Sequence, residues 1–254
     1  MANQFVKLKG NNFMKKNFLF NLSEKYPFFK KFYFFYNIYI RNRKYINKGT
    51  QFGEDSLISE FINKKEKGNF VDVGCFHPTK HNNTYALYKR NWKGINIDLN
   101  PLTIELFNFF RPRDININTA VSDTEDEKDL FFLGKLNTQN TIEKNHLYFL
   151  NNHQNVRDEN IEKLRIKTKR LDKILSENNF KEIDFINIDV EGHELSVLKS
   201  IDFDKVKIAL ICIEILEHNN KSLENNEKIK DFLKIKNFKL EKKIGVNYIY
   251  KKND

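Results

Sequence analysis

The stretch from Asp184 to Glu194, DFINIDVEGHE, constrains the fold more than any other part of the chain. It opens as an apolar segment rich in isoleucine, a residue favoured in β-strands, and it ends with three carboxylates and an imidazole within six residues. So many polar groups are too costly for a protein core, but at the carboxyl end of a strand in an open α/β sheet they face the ligand crevice. The alternative is a solvated turn with acidic residues at the start of a helix.

Two further segments repeat this pattern of an apolar strand that meets an acidic residue. Phe70 to Gly74 contains Asp72, and Ile95 to Asp98 ends in an aspartate. Three such segments favour a shared ligand site over a solvated turn. Strands and helices alternate along most of the chain, and a hairpin around Gly245 follows them. The sequence therefore predicts an α/β fold with a mostly parallel, doubly wound sheet and a C-terminal antiparallel hairpin.

The strand signal weakens in the middle of the chain. Ile115 to Val121 alternates in polarity and is predicted to form a single third strand. Beyond it the segment 124–168 has no strong periodicity, and Asn137 to Asn160 is rich in asparagine and glutamine. Long loops in compact domains are often functional. We therefore predict that residues 124–168 form an insertion or lid over the site.

Residues 1–48 differ from the rest and are predicted to form a basic, aromatic helical extension to a main domain over residues 49–254. Phe28, Phe32, Phe35 and Tyr39 recur at spacings of 4, 3 and 4 residues, which places them on one face of a helix. The favoured hypothesis is a helix packed on the main domain. The alternative is a helix that lies on a membrane or on a partner.

The composition limits the classes of partner and compartment. The net charge is +10, so an anionic partner is expected, such as a phosphorylated substrate, a nucleotide sugar or an anionic membrane surface. Cys75 and Cys212 lie in predicted buried strands, and no C-x-x-C pair is present, which is typical of a reducing compartment. The start lacks the features of a secretory signal, and no apolar stretch approaches about 18 residues. We therefore expect a cytoplasmic protein; in the alternative for residues 1–48, that segment contacts the inner face of a membrane.

The first two strand ends indicate an adenosine ligand. Asp98 lies 26 residues after Asp72, where an acid accepts hydrogen bonds from ribose hydroxyls in dinucleotide-binding folds. The glycine-rich phosphate fingerprint is absent, because Cys75, His77 and Pro78 follow Gly74. An adenosine ligand without a pyrophosphate is S-adenosylmethionine. For Asp98 alone, a helix N-cap is an equally good interpretation.

Several stretches resemble one known family, in the order expected of a parallel α/β fold. They are GED at 53–55, FVDVGCFHP at 70–78, NNTYALYKRNWKGINIDLNP at 82–101, TAVSD at 119–123, KTKRLDKIL at 167–175, INIDVEGHELSVLKS at 186–200 and ICIEI at 211–215. On these residues the chain resembles the FkbM family of class I S-adenosylmethionine-dependent methyltransferases, which have a Rossmann-like fold. The resemblance covers about residues 50 to 216, and IDVEGHE is its most specific part.

The resemblance implies O-methylation of a sugar hydroxyl, on a nucleotide-linked sugar or a surface glycan of the capsule or lipopolysaccharide type. It also makes residues 124–168 the expected acceptor-binding insertion. The matching positions are Asp72 and Gly74 at the methionine part of the cofactor, Asp98 at the ribose, Ala120, Ser122 and Asp123 at the adenine, and Asp189, Glu191 and His193 at the sulfonium and the acceptor. His77 and Asn83, in the loop after the first strand, are expected near cofactor or substrate.

The acceptor hydroxyl must lose a proton, and two residues are candidate bases. His193 comes first because imidazole titrates near neutrality, and Glu191 comes second; a solvent-exposed histidine at a helix start is the alternative for His193. Asp189 and Glu214 each end a strand, so their carboxylates are a candidate Mg²⁺ site. The alternative for Glu214 is a hydrogen bond to the backbone or to an acceptor hydroxyl.

Two other classes of function compete with a sugar methyltransferase. The positive charge and many aromatic residues suggest a nucleic-acid methyltransferase, but NPPY and DPPY motifs are absent and the basic residues are dispersed. The other class is a catalytically idle module that binds a glycan or a membrane, against which the presence of Asp72, Asp98 and Asp189 argues. The sequence leaves the oligomeric state open, a dimer included.

Overall fold

The computed structural model describes residues 18–48, 58, 60–61, 65–135, 137–144, 146–147, 150–151, 161–215 and 220–253. The chain divides into two compact units, residues 1–49 and 50–254, and each is described by itself. Between residues 51 and 63, the described residues are 58, 60 and 61, and they are helical. No helix among the described residues is both long enough and apolar enough to span a membrane.

The first unit is helical, as the sequence predicts. Residues 18–25 form a helix, followed by α1 (Phe28–Phe35), a π-helical turn (Tyr36–Arg41) and α2 (Tyr45–Lys48). The 4, 3, 4 aromatic stripe lies on the exposed side of this unit, with Phe28 75% and Phe32 59% exposed, whereas the neighbouring face of the same helix is buried. The residues of that buried face are Tyr33, Phe34, Asn37 and Ile38.

The second unit is built on a seven-stranded sheet with the order β3-β2-β1-β7-β8-β10-β9. Strands β1, β2, β3, β7 and β8 are parallel, and β10 runs antiparallel to both β8 and β9. The predicted mostly parallel sheet with a C-terminal antiparallel hairpin is thus confirmed. The ten strands are β1 (Asn69–Val73), β2 (Lys93–Asp98), β3 (Ile115–Asn118), β4 (Ala120–Val121), β5 (Glu127–Phe132), β6 (Glu162–Lys169), β7 (Glu182–Ile188), β8 (Lys207–Glu214), β9 (Phe238–Ile244) and β10 (Asn247–Lys252).

Both faces of the central strands are buried, which explains their nearly continuous apolar sequences. Along β7, Ile186 and Ile188 enter one core cluster, while Phe185 enters a second cluster with Cys212 of β8. Successive side chains of a strand point to opposite faces, so the two clusters lie on the two sides of the sheet. Both cysteines are free and buried, as predicted.

Helices connect the strands of the main sheet. They are α3 (Tyr85–Lys89), α4 (Pro101–Phe110), α5 (Leu171–Glu177), α6 (Glu194–Lys199) and α7 (Asn220–Ile235). The start of α4 is encoded locally, since Asn100 accepts a hydrogen bond from the Leu102 amide and Pro101 occupies the first turn.

The predicted third strand is divided between two sheets. β3 ends at Asn118, and the Thr119 amide then donates to the Asp98 carbonyl. Ala120 and Val121 leave the main sheet as β4 and pair in parallel with β6. β6 also pairs antiparallel with β5, which makes a second sheet with the order β4-β6-β5. The segment 124–168 therefore begins and ends in strands.

Candidate active site

A cavity of about 320 Å³ lies at the carboxyl ends of β1, β2, β7 and β8, where open α/β sheets bind ligands. The structure brings most of the predicted site residues together in its lining. They are Asp72, Gly74, Asn83, Asp98, Ala120, Asp189, Glu191, His193 and Glu214. Three parallel strands that end in acids thus form one crevice, as the sequence predicts.

Gly74 shapes the floor of this cavity, because the backbones after β1 and β7 approach closely there. Its φ is +81°, and a Cβ at this position would lie 1.7 Å from the carbonyl oxygen of Asp189. Only glycine combines that conformation with that approach. The fold therefore requires Gly74 whatever its contact with a ligand.

Asp98 is held at the end of β2 by two backbone amides. Its carboxylate accepts hydrogen bonds from Phe76 N at 3.0 Å and from Asn100 N at 2.7 Å. Burial nevertheless raises the pKa of Asp98 to about 6. Asn100, and not Asp98, is the N-cap of α4, so the N-cap interpretation of Asp98 is wrong. Asp98 lines the cavity as an acceptor.

Asp72 lies at the centre of a buried polar network. It is fully buried and accepts hydrogen bonds from Asn187 Nδ2 at 2.9 Å, Asn82 Nδ2 at 3.0 Å and Thr84 Oγ1 at 2.9 Å. Asn83 joins the network through a 2.9 Å bond to Asn187. Burial raises the pKa of Asp72 in spite of these donors. Asp72 therefore ties the ends of β1 and β7 to the loop before α3.

Arg111 donates hydrogen bonds to this network, and the sequence analysis missed it. Its side chain is fully buried, and it donates to Thr84 Oγ1 at 2.9 Å and to Asn82 Oδ1 at 2.6 Å. Both residues in turn donate to Asp72. A buried charge needs a counter-charge. For Arg111 this is the equally buried Asp114, whose Oδ2 lies 3.9 Å from Nη1. Asp72 is joined to Arg111 through Asn82 and Thr84. The position of Arg111 at the end of an apolar helix gave no sequence signal.

The turn after β7 has a backbone conformation that Glu194 stabilises. Glu191 has a φ of 54° and Gly192 a φ of 99°, and the Glu194 carboxylate accepts hydrogen bonds from Gly192 N at 3.0 Å and Val190 N at 3.3 Å. Burial raises the pKa of Glu194 to about 7. One acid of the DFINIDVEGHE segment therefore organises the turn, while Asp189 and Glu191 line the cavity.

Asp189 and Glu214 meet across β7 and β8, as predicted, but they bind each other. Their carboxyl groups share a hydrogen bond, burial raises the pKa of Asp189 to about 6, and burial with neighbouring acids raises the pKa of Glu214 well above its usual range. Among the described residues no group of three potential ligand side chains is suited to a metal ion. The Mg²⁺ hypothesis for Asp189 and Glu214 is therefore not supported.

His193 and Glu191 both contact the segment around residues 141–146. His193 Nε2 is 3.1 Å from Ser122 Oγ, and its Nδ1 is 3.4 Å from Glu143 Oε2. Glu191 Oε2 is 3.2 Å from His146 Nε2, and its carbonyl accepts a hydrogen bond from Thr141 Oγ1. Sequence reasoning missed Glu143 and His146, because their roles depend on contacts some 45 to 50 residues away in sequence.

Three predicted site residues do not line this cavity, namely His77, Ser122 and Asp123. His77 is buried, and its Nδ1 accepts hydrogen bonds from the amides of Thr79 and Lys80, so it holds the loop after β1. Ser122 is fully buried and donates to Asp123 Oδ1 at 3.1 Å. Ser122 reaches the site only through His193. These positions are suited to supporting the lining.

The sequence matches a family model described as "Methyltransferase FkbM domain" over residues 72–240, from β1 into β9. That is more than half of the chain. No curated protein matches this sequence.

Solved methyltransferase structures are distantly similar. A TehB-like SAM-dependent methyltransferase from Corynebacterium glutamicum is 11% identical, with a TM-score of 0.42 and coverage of 84% of this chain and 95% of that chain. A SAM-dependent methyltransferase from Aquifex aeolicus is 11% identical, with a TM-score of 0.40 and coverage of 78% and 87%. A putative methyltransferase from Thermobifida fusca is 14% identical, with a TM-score of 0.41 and coverage of 85% and 81%. Similarities this distant carry no argument about the substrate.

Proposed function

This chain belongs to the FkbM family of S-adenosylmethionine-dependent methyltransferases, and we propose that it is an O-methyltransferase acting on a sugar hydroxyl. Its strand order, with β10 inserted antiparallel beside β8, is that of the class I methyltransferase fold. The acceptor would be a nucleotide-linked sugar or a surface glycan of the capsule or lipopolysaccharide type.

The observation that carries the choice of a hydroxyl acceptor is a buried oxygen in the lining. Glu214 Oε2 is buried and has no hydrogen-bond partner within the described part of the chain. An unsatisfied buried acceptor is costly, and a ligand hydroxyl that enters the cavity would satisfy it.

The described residues fit the cofactor. Asp98 lies in the lining with a carboxylate that accepts hydrogen bonds, as ribose hydroxyls require, and the Gly74 backbone leaves room where a side chain would block the floor. S-adenosylmethionine, when bound, supplies a methyl group already activated by its positive sulfonium. Asp189 and Asp72 would lie near that charge, which stabilises carboxylates in their ionised form.

The protein then has to orient the acceptor and accept its proton. Positioning contributes most of the rate in such displacements, and a base contributes about 10²- to 10⁴-fold. The structure favours Glu191 over His193 as this base. Both ring nitrogens of His193 have side-chain partners, Ser122 and Glu143. Glu191 also has one, since its Oε2 lies 3.2 Å from His146 Nε2, but its carboxylate lines the cavity and has a second oxygen. Burial raises the pKa of Glu191 well above its usual range, and the positive charge of the bound cofactor would favour the ionised form that accepts a proton.

The charge distribution supports one of the proposed acceptor classes over the others. Residues 1–48 contain eleven Lys or Arg and one Glu, while the remaining 206 residues contain 33 basic and 33 acidic residues. The net charge of +10 therefore lies outside the methyltransferase domain and gives that domain no excess attraction for a nucleotide. The cavity lining itself contains five acidic residues and one lysine, Lys80. This supports an uncharged sugar of a glycan over a diphosphate-linked one, and it disfavours a nucleic-acid substrate.

The test is a methyl-transfer assay with labelled cofactor on neutral glycans, nucleotide sugars and RNA. We expect transfer to a neutral glycan, a loss of about 10²-fold or more in kcat for Glu191→Gln, and a smaller loss for His193→Asn. Glu224→Gln, an exposed acid on α7, is the matched control and should keep full activity. Transfer to RNA but to no sugar would contradict the proposal, and a larger loss for His193→Asn would make His193 the base.

A further inference from the structure

Beyond the methyl-transfer reaction, we infer that residues 18–48 form a docking surface for an anionic membrane. This segment contains seven Lys or Arg and a single acid, Glu24. Because the other unit is electrically neutral over its own sequence, the positive field of the chain originates in and near this segment. Such a field attracts anionic lipid headgroups.

The same segment exposes a continuous apolar face. Phe28, Phe32 and Phe35 are 75%, 59% and 51% exposed, on a helix whose neighbouring face is buried. The rings of Phe28 and Phe32 contact each other and Phe29, and the ring of Phe35 contacts Tyr39, with centroid distances of 5.5 Å for Phe28 and Phe32 and 5.0 Å for Phe35 and Tyr39. A contiguous exposed apolar patch marks an interaction surface rather than scattered surface residues.

Exposed basic residues flank this face in the sequence of the first unit. Lys25 and Lys31 lie beside the phenylalanines, and Arg41, Arg43 and Lys44 follow at the end of the helical stretch, all of them exposed. Long basic side chains extend along an apolar surface and place their charges in a headgroup layer. A helix with aromatic residues on one face and Lys and Arg around it is suited to lie in the plane of a membrane interface.

A membrane explains this surface better than a nucleic acid does. Single-stranded nucleic acids stack their bases on individual aromatic rings, but here the exposed rings pack edge to face against each other and Ile40 adds a 57% exposed aliphatic side chain. A phenylalanine cluster of this kind gains free energy by insertion into acyl chains. The basic rim supplies selectivity for anionic lipids.

The experiment is co-sedimentation of the full chain with vesicles of phosphatidylcholine alone and of phosphatidylcholine with phosphatidylglycerol. We expect binding to the anionic vesicles only, and weaker binding at high salt because surface charges are screened. The triple variant Phe28→Ser, Phe32→Ser, Phe35→Ser should lose binding. Its matched control changes three exposed apolar residues of the other unit, Leu223→Ser, Ile235→Ser and Leu240→Ser, and should bind as the wild type does.

A second variant tests the charges without altering the apolar face. Lys31→Gln with Arg43→Gln should weaken binding by about fivefold for each charge removed, while Lys239→Gln with Lys242→Gln on β9 should have no effect. Circular dichroism and calorimetric binding of S-adenosylmethionine verify that each variant is folded. Equal binding to both vesicle types, unchanged binding of either residue 28–43 variant, or salt-sensitive binding to RNA without vesicle binding would overturn the proposal.

Discussion

The acidic residues around the cavity have raised pKa values because they are buried without cationic partners at their own carboxylates. Asp98 and Asp189 titrate near pH 6 and Glu194 near pH 7, and burial is the largest cause for each. A ligand that brings positive charge and hydroxyl donors into the cavity therefore stabilises the ionised forms. Burial destabilises the ionised forms of these acids, so the site is suited to a cofactor that carries positive charge.

This leads to a prediction for Asp98 and the cofactor. Only the ionised carboxylate accepts hydrogen bonds from both ribose hydroxyls, so we expect binding of S-adenosylmethionine to weaken as the pH falls from about 7.5 to about 5 through the pKa of Asp98. Asp98→Asn should weaken binding at neutral pH by about 1–3 kcal/mol and show a flatter pH dependence. Calorimetry at several pH values measures both effects.

The control for Asp98 is an exposed aspartate outside the cavity lining, Asp204. Asp204→Asn should leave cofactor affinity unchanged. A wild-type affinity that rises as the pH falls, or an Asp98→Asn variant that binds as tightly as the wild type, would contradict this account of the ribose site.

The cavity depends on the close approach of the backbones after β1 and β7, and a substitution at Gly74 tests that approach. In Gly74→Ala the new Cβ would overlap the Asp189 carbonyl, and the φ of +81° would be strained as well. We expect this variant to lose cofactor binding and several kcal/mol of unfolding free energy. Gly134→Ala is the matched control, because its φ is +124° but no atom lies within 4 Å of the new Cβ.

The control should therefore lose only the unfolding free energy that the backbone strain costs, about 1–3 kcal/mol, and it should keep its cofactor affinity. The difference between the two variants, read from denaturant unfolding, isolates the close approach of the two strands. Equal losses of unfolding free energy in the two variants would mean that backbone strain alone accounts for the need for glycine at position 74.

Sequence patterns predicted the strands that are buried on both faces. They failed where contacts between distant parts of the chain determine where a strand ends or which face of a helix is buried. The apolar segments of β1, β7 and β8 and their terminal acids were sufficient to place the crevice. The alternation from Ile115 to Val121 continues past Asn118, but pairing with β6 divides the segment after that residue. Spacing likewise showed which aromatic residues of α1 share a face, yet it does not show which face is buried.

Side chains that act through other side chains were the ones that sequence analysis missed. Arg111 reaches Asp72 only through Asn82 and Thr84, and no local pattern marks such an indirect contact. Glu143 approaches His193 from a segment whose sequence resembles a loop. Short-range spacing identifies the residues at strand ends, whereas the partners that orient them depend on the folded chain.

The whole molecule should respond to pH through the same buried acids. A carboxyl group whose pKa is raised in the folded state binds more protons there than in the unfolded chain, so the free energy of unfolding falls as the pH rises through that interval. With values near 6 for Asp98 and Asp189 and near 7 for Glu194, against about 4 in an unfolded chain, the interval runs from about pH 4 to about pH 7. Partly buried acids whose pKa values are lowered by lysine partners, such as Asp129 and Asp202, act at lower pH.

We therefore expect the cofactor-free protein to be more stable at about pH 5 than at about pH 7.5, as measured by urea unfolding. Glu194→Gln should reduce this difference, because an amide keeps the acceptor oxygen for the Gly192 amide but does not titrate, while Glu224→Gln at an exposed position should leave it unchanged. S-adenosylmethionine should stabilise the protein more at pH 7.5 than at pH 5, since it binds the ionised form. A protein that becomes steadily more stable from pH 5 to pH 7.5 without cofactor would show that the acids of the crevice are compensated by charges other than a ligand.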